Sequence, residues 1–284
     1  MPMRYDPSDR ALLTPERSDT LFHRDHAYSP VQLAIEAARL AYYRAEDSES
    51  EKARLVEALA RAGFKDAELF VDSASGGAAF AARRDADGTV ILAFRGTQPD
   101  SIRNLLTDAR ANLVPWPESA GRVHSGFATA ARSLLPRISQ WMESTRPDPN
   151  NFILAGHSLG AALATLTATT CRPAWLVTLG SPRVGDAAFA ATVRAAKIVR
   201  LVDCCDLVTE MPPPIDGYEH IRPPTYLTAS GRVIENPADE LVAKDRRHAR
   251  LRYALRFSWR VWRDVMARDL AEHAPINYAR ALFS

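Results

Sequence analysis

The sequence predicts an α/β protein with a mainly parallel central sheet, helices on both faces and an antiparallel N-terminal edge. Two observations carry this reading. From residue 90 to about residue 200, short apolar runs alternate with helix-forming stretches, at the spacing of strand–helix–strand units. Ahead of them, Asp87-Gly88 stands between two strand-like runs, the signal of a tight hairpin. The 284 residues are 46% hydrophobic and 25% charged, as in ordinary globular proteins, and residues 1–284 read as a single domain.

Each element follows from its residues. Ser29-Pro30 is an N-cap with a first-turn proline, and Val31, Leu33, Ala34, Ala37, Ala38, Leu40 and Ala41 give the helix behind it a broad apolar face. A second helix runs through Leu55, Leu59 and Ala62 and stops at Gly63. Strands are expected at 69–71, at 78–83 and, past the hairpin turn, at 90–94. Apolar runs at 152–154, 175–177 and 198–202 then alternate with helices over 126–142, 159–170 and 186–196. Pro212-Pro213-Pro214 and Pro223-Pro224 mark a loop-rich region. The tail, within 237–270, reads as one long helix from about Asp239 to Leu270, with arginines at 246, 247, 250, 252, 256, 260 and 263. Its basic stripe has Leu251, Leu255, Trp259, Trp262 and Met266 on one side and Tyr253, Phe257 and Val261 on the other, which predicts a mostly packed helix.

Composition excludes several function classes. A net charge of +2 gives no reason to expect a nucleic-acid partner. No run approaches the ~18 to 20 apolar residues of a membrane span. The polar stretch Met1 to Arg10 lacks the apolar core of a signal peptide, so the expected setting is cytoplasmic, or exported by another route. Cys204 and Cys205 are neighbours, between which a disulfide is strained, and Cys171 is the remaining candidate partner. Reduced thiols used as small buried hydrophobes are the expectation. No Cys or His spacing fits zinc, so neither a metal nor a cofactor is expected.

The chemistry centres on Gly156-His157-Ser158-Leu159-Gly160. A lone G-x-S-x-G is weak, but here an apolar strand precedes it and an alanine-rich helix follows. Strand, sharp turn and helix form the setting of a nucleophile elbow. The two glycines remove side chains that would clash across the turn, and the helix N-terminus aims N–H groups at developing negative charge. These features predict an α/β-hydrolase fold with Ser158 as nucleophile.

Ser158 needs a base, and in this fold the partners follow in the order Ser, acid, His. His23, His26 and His124 come too early, and His157 adjoins the nucleophile with its side chain turned elsewhere. Of His220, His248 and His273, the last sits on a turn, Glu272-His273-Ala274-Pro275, after the long helix, whereas His248 lies among arginines that oppose its protonation. For the acid, Asp203 and Asp206 both follow the 198–202 strand, and composition leaves both open.

The sequence resembles the class 3 lipase family, that of fungal triacylglycerol lipases and their bacterial and plant relatives. The matching segments, in the family's order, are 93–97 (AFRGT), 123–127 (VHSGF), 156–162 (GHSLGAA), 178–185 (TLGSPRVG), 206–213 and 272–278 (EHAPINY). The resemblance implies that Ser158, Asp206 and His273 form a triad, with Asp203 as the alternative acid. It also implies that Thr97 and the Leu159 N–H form the oxyanion hole. In the place of the family's lid, Ile102, Leu105, Leu106 and Ala109 share one helical face, so 98–117 reads as a lid in which Ile102, Leu105, Leu106 and Trp116 are candidates for substrate contact. The expected activity is hydrolysis of a lipid ester such as an acylglycerol, with action at a lipid–water interface. The alternatives are a phospholipase A1 or an aryl (feruloyl-type) esterase with the same machinery and, more remotely, a non-catalytic interaction module.

Overall fold

Ser29 starts the first long helix in the way its side chain allows. Its hydroxyl accepts from the Gln32 N–H, and the Gln32 side chain accepts from the Ser29 N–H, a reciprocal cap ahead of Pro30. The structure, a computed structural model, describes residues 3–96, 112–214, 217–257 and 263–283. Within them the helices are α1 (Asp9–Leu13), α2 (Pro30–Leu40), α3 (Glu49–Ala60), α4 (Ser125–Thr145), α5 (Leu159–Thr167), α6 (Ala187–Ala190), α7 (Asp239–Arg256), α8 (Arg268–Ala271) and α9 (Pro275–Ala279).

The main sheet runs β1 (Phe64–Asp72), β2 (Gly77–Arg84), β3 (Val90–Phe94), β6 (Phe152–His157), β7 (Trp175–Leu179), β9 (Lys197–Asp203), β11 (Thr225–Leu227) and β12 (Val233–Glu235). Strands β3, β6, β7, β9 and β11 are mutually parallel, while β1 and β2 add the expected antiparallel N-terminal edge and β12 an antiparallel edge at the far side. A small antiparallel sheet joins β10 (Tyr218–Glu219), β8 (Gly185–Asp186), β5 (Arg122–His124) and β4 (Leu113–Pro115).

Period-two alternation divides the core. Ile91, Ala93, Ile153, Ala155, Val177 and Leu179 pack on one face with α2, α3 and α9. Val90, Leu92, Phe94, Phe152, Leu154 and Leu176 pack on the other with α4 and α5. Helices thus cover both faces, as the alternating pattern predicts.

Four helices differ in length from the expectation. Helix α4 extends to Thr145, past the expected 142, and α5 ends at Thr167. The expected helix over 186–196 is a single turn, because Ala196 and Lys197 donate to the Pro173 and Ala174 carbonyls and draw the chain into β9. The long tail helix is the larger correction. It stops at Arg256, and residues 263–265 are clipped to the N-terminal segment, with Asp9 donating to the Arg263 carbonyl and Val265 to that of Pro7. An extended bridge there cannot continue a helix, so α8 starts afresh at Arg268.

Helix α7 is also not the packed helix its apolar stripes predict. Only Ala249 and Tyr253 are buried, while Leu251 is 58% and Leu255 75% exposed. Its arginines make much of its connection to the body, Arg246 pairing with Glu210 and Arg250 with Asp269. Trp259 and Trp262 lie outside the described residues. All three cysteines are free thiols, with Cys204 and Cys205 buried. Among the described residues, no helix is long and apolar enough to cross a membrane.

Candidate active site

Ser158 occupies the turn between β6 and α5 with φ 58° and ψ −128°, a conformation that costs a side-chain-bearing residue free energy and is held by what surrounds it. The flanking glycines make the turn possible. A Cβ on Gly156 would lie 2.2 Å from the Gly160 carbonyl oxygen, and one on Gly160 would lie 2.2 Å from the Phe94 carbonyl oxygen. The Ser158 N–H donates to Leu179 O across to β7 at 2.9 Å. Ser158 makes no side-chain cap on α5, so its hydroxyl is left for another partner. Gly160→Ala should therefore destabilise the fold by at least the ~1 to 3 kcal/mol of ordinary overpacking, because the clash is with backbone. A urea titration with an unchanged midpoint would contradict this.

The partner is His273, on the turn between α8 and α9. Its Nε2 lies 2.9 Å from Ser158 Oγ, and its Nδ1 lies 2.8 Å from Asp206 Oδ2. An ionised carboxylate only accepts, so Nδ1 carries the proton and the Nε2 lone pair of the neutral ring faces the serine hydroxyl. Asp206 follows β9 and caps the short helix Leu207–Glu210, its Oδ1 accepting the Val208 N–H at 2.9 Å. Its Oδ2 also accepts the Tyr278 hydroxyl. Burial and the Asp206 charge push the Tyr278 phenol well above its usual range, so it remains a donor. Ser158, Asp206 and His273 are all buried. Ser158 and Asp206 lie beyond the carboxyl ends of parallel strands, where open α/β sheets gather their sites.

The two aspartates go different ways. Asp203 does not reach His273: its Oδ1 accepts from Arg280 Nη2 at 2.7 Å and from the Cys204 N–H at 2.9 Å. Burial and the nearby Glu272 raise its carboxyl well above the ordinary range, against the opposing pull of Arg280. Of the other histidines, His220 bonds the Thr209 carbonyl through Nε2, and burial plus Arg200 lower it to about 2. His248 is exposed on α7.

Three supporting residues are not apparent from the sequence pattern. His157 Nε2 lies 2.9 Å from the His273 backbone oxygen, which can only accept, so His157 donates there and takes the Tyr42 hydroxyl on Nδ1 at 2.7 Å. Burial and then His273 hold His157 well below the usual imidazole range, which keeps it neutral beside a ring only 4.5 Å away. Gly180 has φ +58°, and a Cβ there would lie 2.8 Å from Asp206 Oδ2 and 3.1 Å from His273 Nδ1. Tyr42 lies in the turn just after α2, 115 residues before His157, and carries no local signal of this contact.

The remaining expectations divide. Thr97, Ile102, Leu105 and Leu106 lie outside the described residues, while Leu159 begins α5 directly after Ser158. Trp116 is corrected from a substrate candidate to a core residue. It is 1% exposed, packs with α4 and α5, and donates its indole N–H to Thr169 at 2.9 Å. Thr169 lies beyond the far end of α5, roughly 15 Å along the helix from Ser158. The expected lid over 98–117 is also too long, because Leu113–Pro115 pair with β5.

Comparison with known proteins agrees with this fold. Residues 91–215 match the class 3 lipase family. Secreted mono- and diacylglycerol lipase 1 of Fusarium solani is 31% identical over 176 residues, which is 57% of this chain and 52% of that protein. The chloroplastic phospholipase A(1) DAD1 of Arabidopsis thaliana is 32% identical over 158 residues, 46% of this chain and 34% of that one. The chain thus spans about half the length of the first of these relatives and a third of the second. The crystal structure of a lipase from Rhizopus microsporus var. chinensis superposes with a TM-score of 0.56 at 25% identity, covering 79% of this chain and 82% of that one. Residues 91–215 thus match the class 3 lipase family, and the chain has a mainly parallel, α/β-hydrolase-like lipase fold.

Proposed function

We propose that the protein is a serine hydrolase of lipid esters, acting through Ser158, His273 and Asp206. The observation that carries this reading is the unbroken line of hydrogen bonds from Ser158 Oγ through His273 to Asp206. His273 Nε2 takes the hydroxyl proton as Ser158 attacks the ester carbonyl, and Asp206 orients the ring and stabilises its charged form. The tetrahedral oxyanion is held by the Leu159 N–H at the start of α5, with Thr97 as the second donor. Collapse expels the alcohol, protonated by His273, and water then releases the fatty acid by the same steps in reverse.

The relatives support acylglycerols as the substrate class, since the Fusarium protein is named a mono- and diacylglycerol lipase. The named activity of the Arabidopsis relative makes the sn-1 ester of a phospholipid the second reading. Fatty-acid release from diacylglycerol and from phosphatidylcholine, measured side by side, tests the choice. Faster release from diacylglycerol is expected, and the reverse order would select the phospholipase. The apolar face through Leu105 and Leu106 supports action at a lipid–water interface. Changing both to Ser should shrink the rate advantage of an emulsified ester over a dissolved one, and an undiminished advantage would remove that role.

A further inference from the structure

Cys204, Cys205 and Glu272 meet behind the line from Ser158 to Asp206. Their ligand atoms all lie within 4.8 Å of one another, and all three residues are buried. The two sulfurs are 3.6 Å apart. Two thiolates on one tetrahedral zinc ion, each at ~2.3 Å, stand about 3.8 Å apart, so the pair already has close to the required bite. Glu272 Oε2 accepts the Cys205 N–H at 2.8 Å and keeps a second lone pair, while Oε1 is held by Arg268. Asp245 Oδ2 is 3.3 Å from Cys204 Sγ and supplies a further oxygen beside the sulfurs. Two sulfurs with carboxylate oxygens suit a borderline-soft divalent ion better than magnesium or calcium.

We propose that Cys204, Cys205 and Glu272 bind a thiophilic divalent cation such as zinc or cadmium, and that the bound ion lowers turnover. The linkage lies in the chain. Cys205 immediately precedes Asp206 and Glu272 immediately precedes His273, so one ion ties together the two loops whose side chains meet at 2.8 Å. On binding, both thiols release their protons to solvent and two sulfur–metal bonds replace the S–H groups. The hydrogen bonds from Cys204 to Asp245 and from Cys205 to the Arg246 carbonyl are lost, while Tyr226 and Ala229 still donate to the Asp245 carboxylate. Arg268, paired with Glu272, and Arg280, paired with Asp203, offset the surplus negative charge around the site. Access is through α7, whose Ala249 and Arg246 carbonyl lie against the cysteines. A helix that buries only two of its residues opens locally at low free-energy cost.

The effect on turnover rests on the hydrolase reading, whereas the binding does not. The probe is cadmium chloride added to reduced, metal-free protein, read by cadmium–thiolate ultraviolet absorption and by hydrolysis of a soluble ester. One ion per chain is expected, with the absorption lost and affinity reduced more than roughly a hundredfold in Cys204→Ser/Cys205→Ser. Circular dichroism of the serine variant guards against misfolding, and Glu272→Gln gives a weaker site that retains the absorption. Turnover should fall as the wild-type site fills and stay constant in the serine variant. Absence of cadmium–thiolate absorption, or equal affinity in both proteins, overturns the site. A filled site with full turnover overturns its effect on the enzyme. A metal-free protein without esterase activity would count against the hydrolase reading alone, because absorption still reports the site.

Discussion

Replacing Ser158 by alanine should lower turnover of a soluble ester by on the order of 10⁶-fold, the loss seen when the nucleophile of a Ser–His–Asp hydrolase is removed. The residual rate comes from the oxyanion donors and binding, which the substitution leaves in place. The fold should be nearly unaffected. Alanine adopts the Ser158 backbone angles at no greater strain, and the elbow is held by Gly156, Gly160 and the Ser158 N–H bond to Leu179 rather than by the hydroxyl. The measurement is kcat on a p-nitrophenyl ester, with thermal unfolding of the same sample. A variant within tenfold of wild type would remove Ser158 as nucleophile. One that is both inactive and unfolded would show that the hydroxyl has a structural role.

Asp206→Asn should lower turnover by roughly 10⁴-fold, because an amide can donate to His273 Nδ1 and so stabilise the tautomer that cannot accept the serine proton. The geometry makes the loss specific. Asp206 Oδ2 takes both the imidazole proton and the Tyr278 hydroxyl, so one substitution disturbs the ring and the group that fixes the carboxylate. Asp203→Asn acts on a carboxylate paired with Arg280 and out of contact with His273. Its turnover per folded molecule should stay within about tenfold, a change of ~1.4 kcal/mol in barrier, and its effect should fall on the unfolding midpoint. The opposite ranking would exchange the two roles.

That pair also shows what a sequence can and cannot resolve. The Ser158 elbow is legible because its constraints are local: two glycines, a strand before and a helix after, all within a dozen residues. Asp203 and Asp206 are indistinguishable locally, since both follow the same strand. They are separated by Arg280, 77 residues downstream, and by the turn that carries His273. The tail helix fails for a related reason. Its apolar stripes have the right period, but the chain at 263–265 is bound by residues 7–9, a contact that periodicity within the helix cannot reveal. Trp116 is misread because proximity to an amphipathic segment suggests the lid, whereas the β4–β5 pairing and the Thr169 hydroxyl draw it into the core. The triad's support comes from far apart: Tyr42 lies in the turn after an early helix, and His157 holds the His273 carbonyl across 116 residues. The cysteine–glutamate cluster is likewise assembled only by the fold, Cys205 and Glu272 being 67 positions apart in the chain.

The chemistry proposed for this site requires Ser158 to be an activated nucleophile. Mass spectrometry after treatment with a fluorophosphonate tests it most directly, since the reagent captures a serine only where a base and an oxyanion site assist the attack. One adduct per chain is expected, mapped to the peptide containing Ser158 and absent from Ser158→Ala. A folded protein that takes no label, or an adduct that survives in the alanine variant, would contradict it.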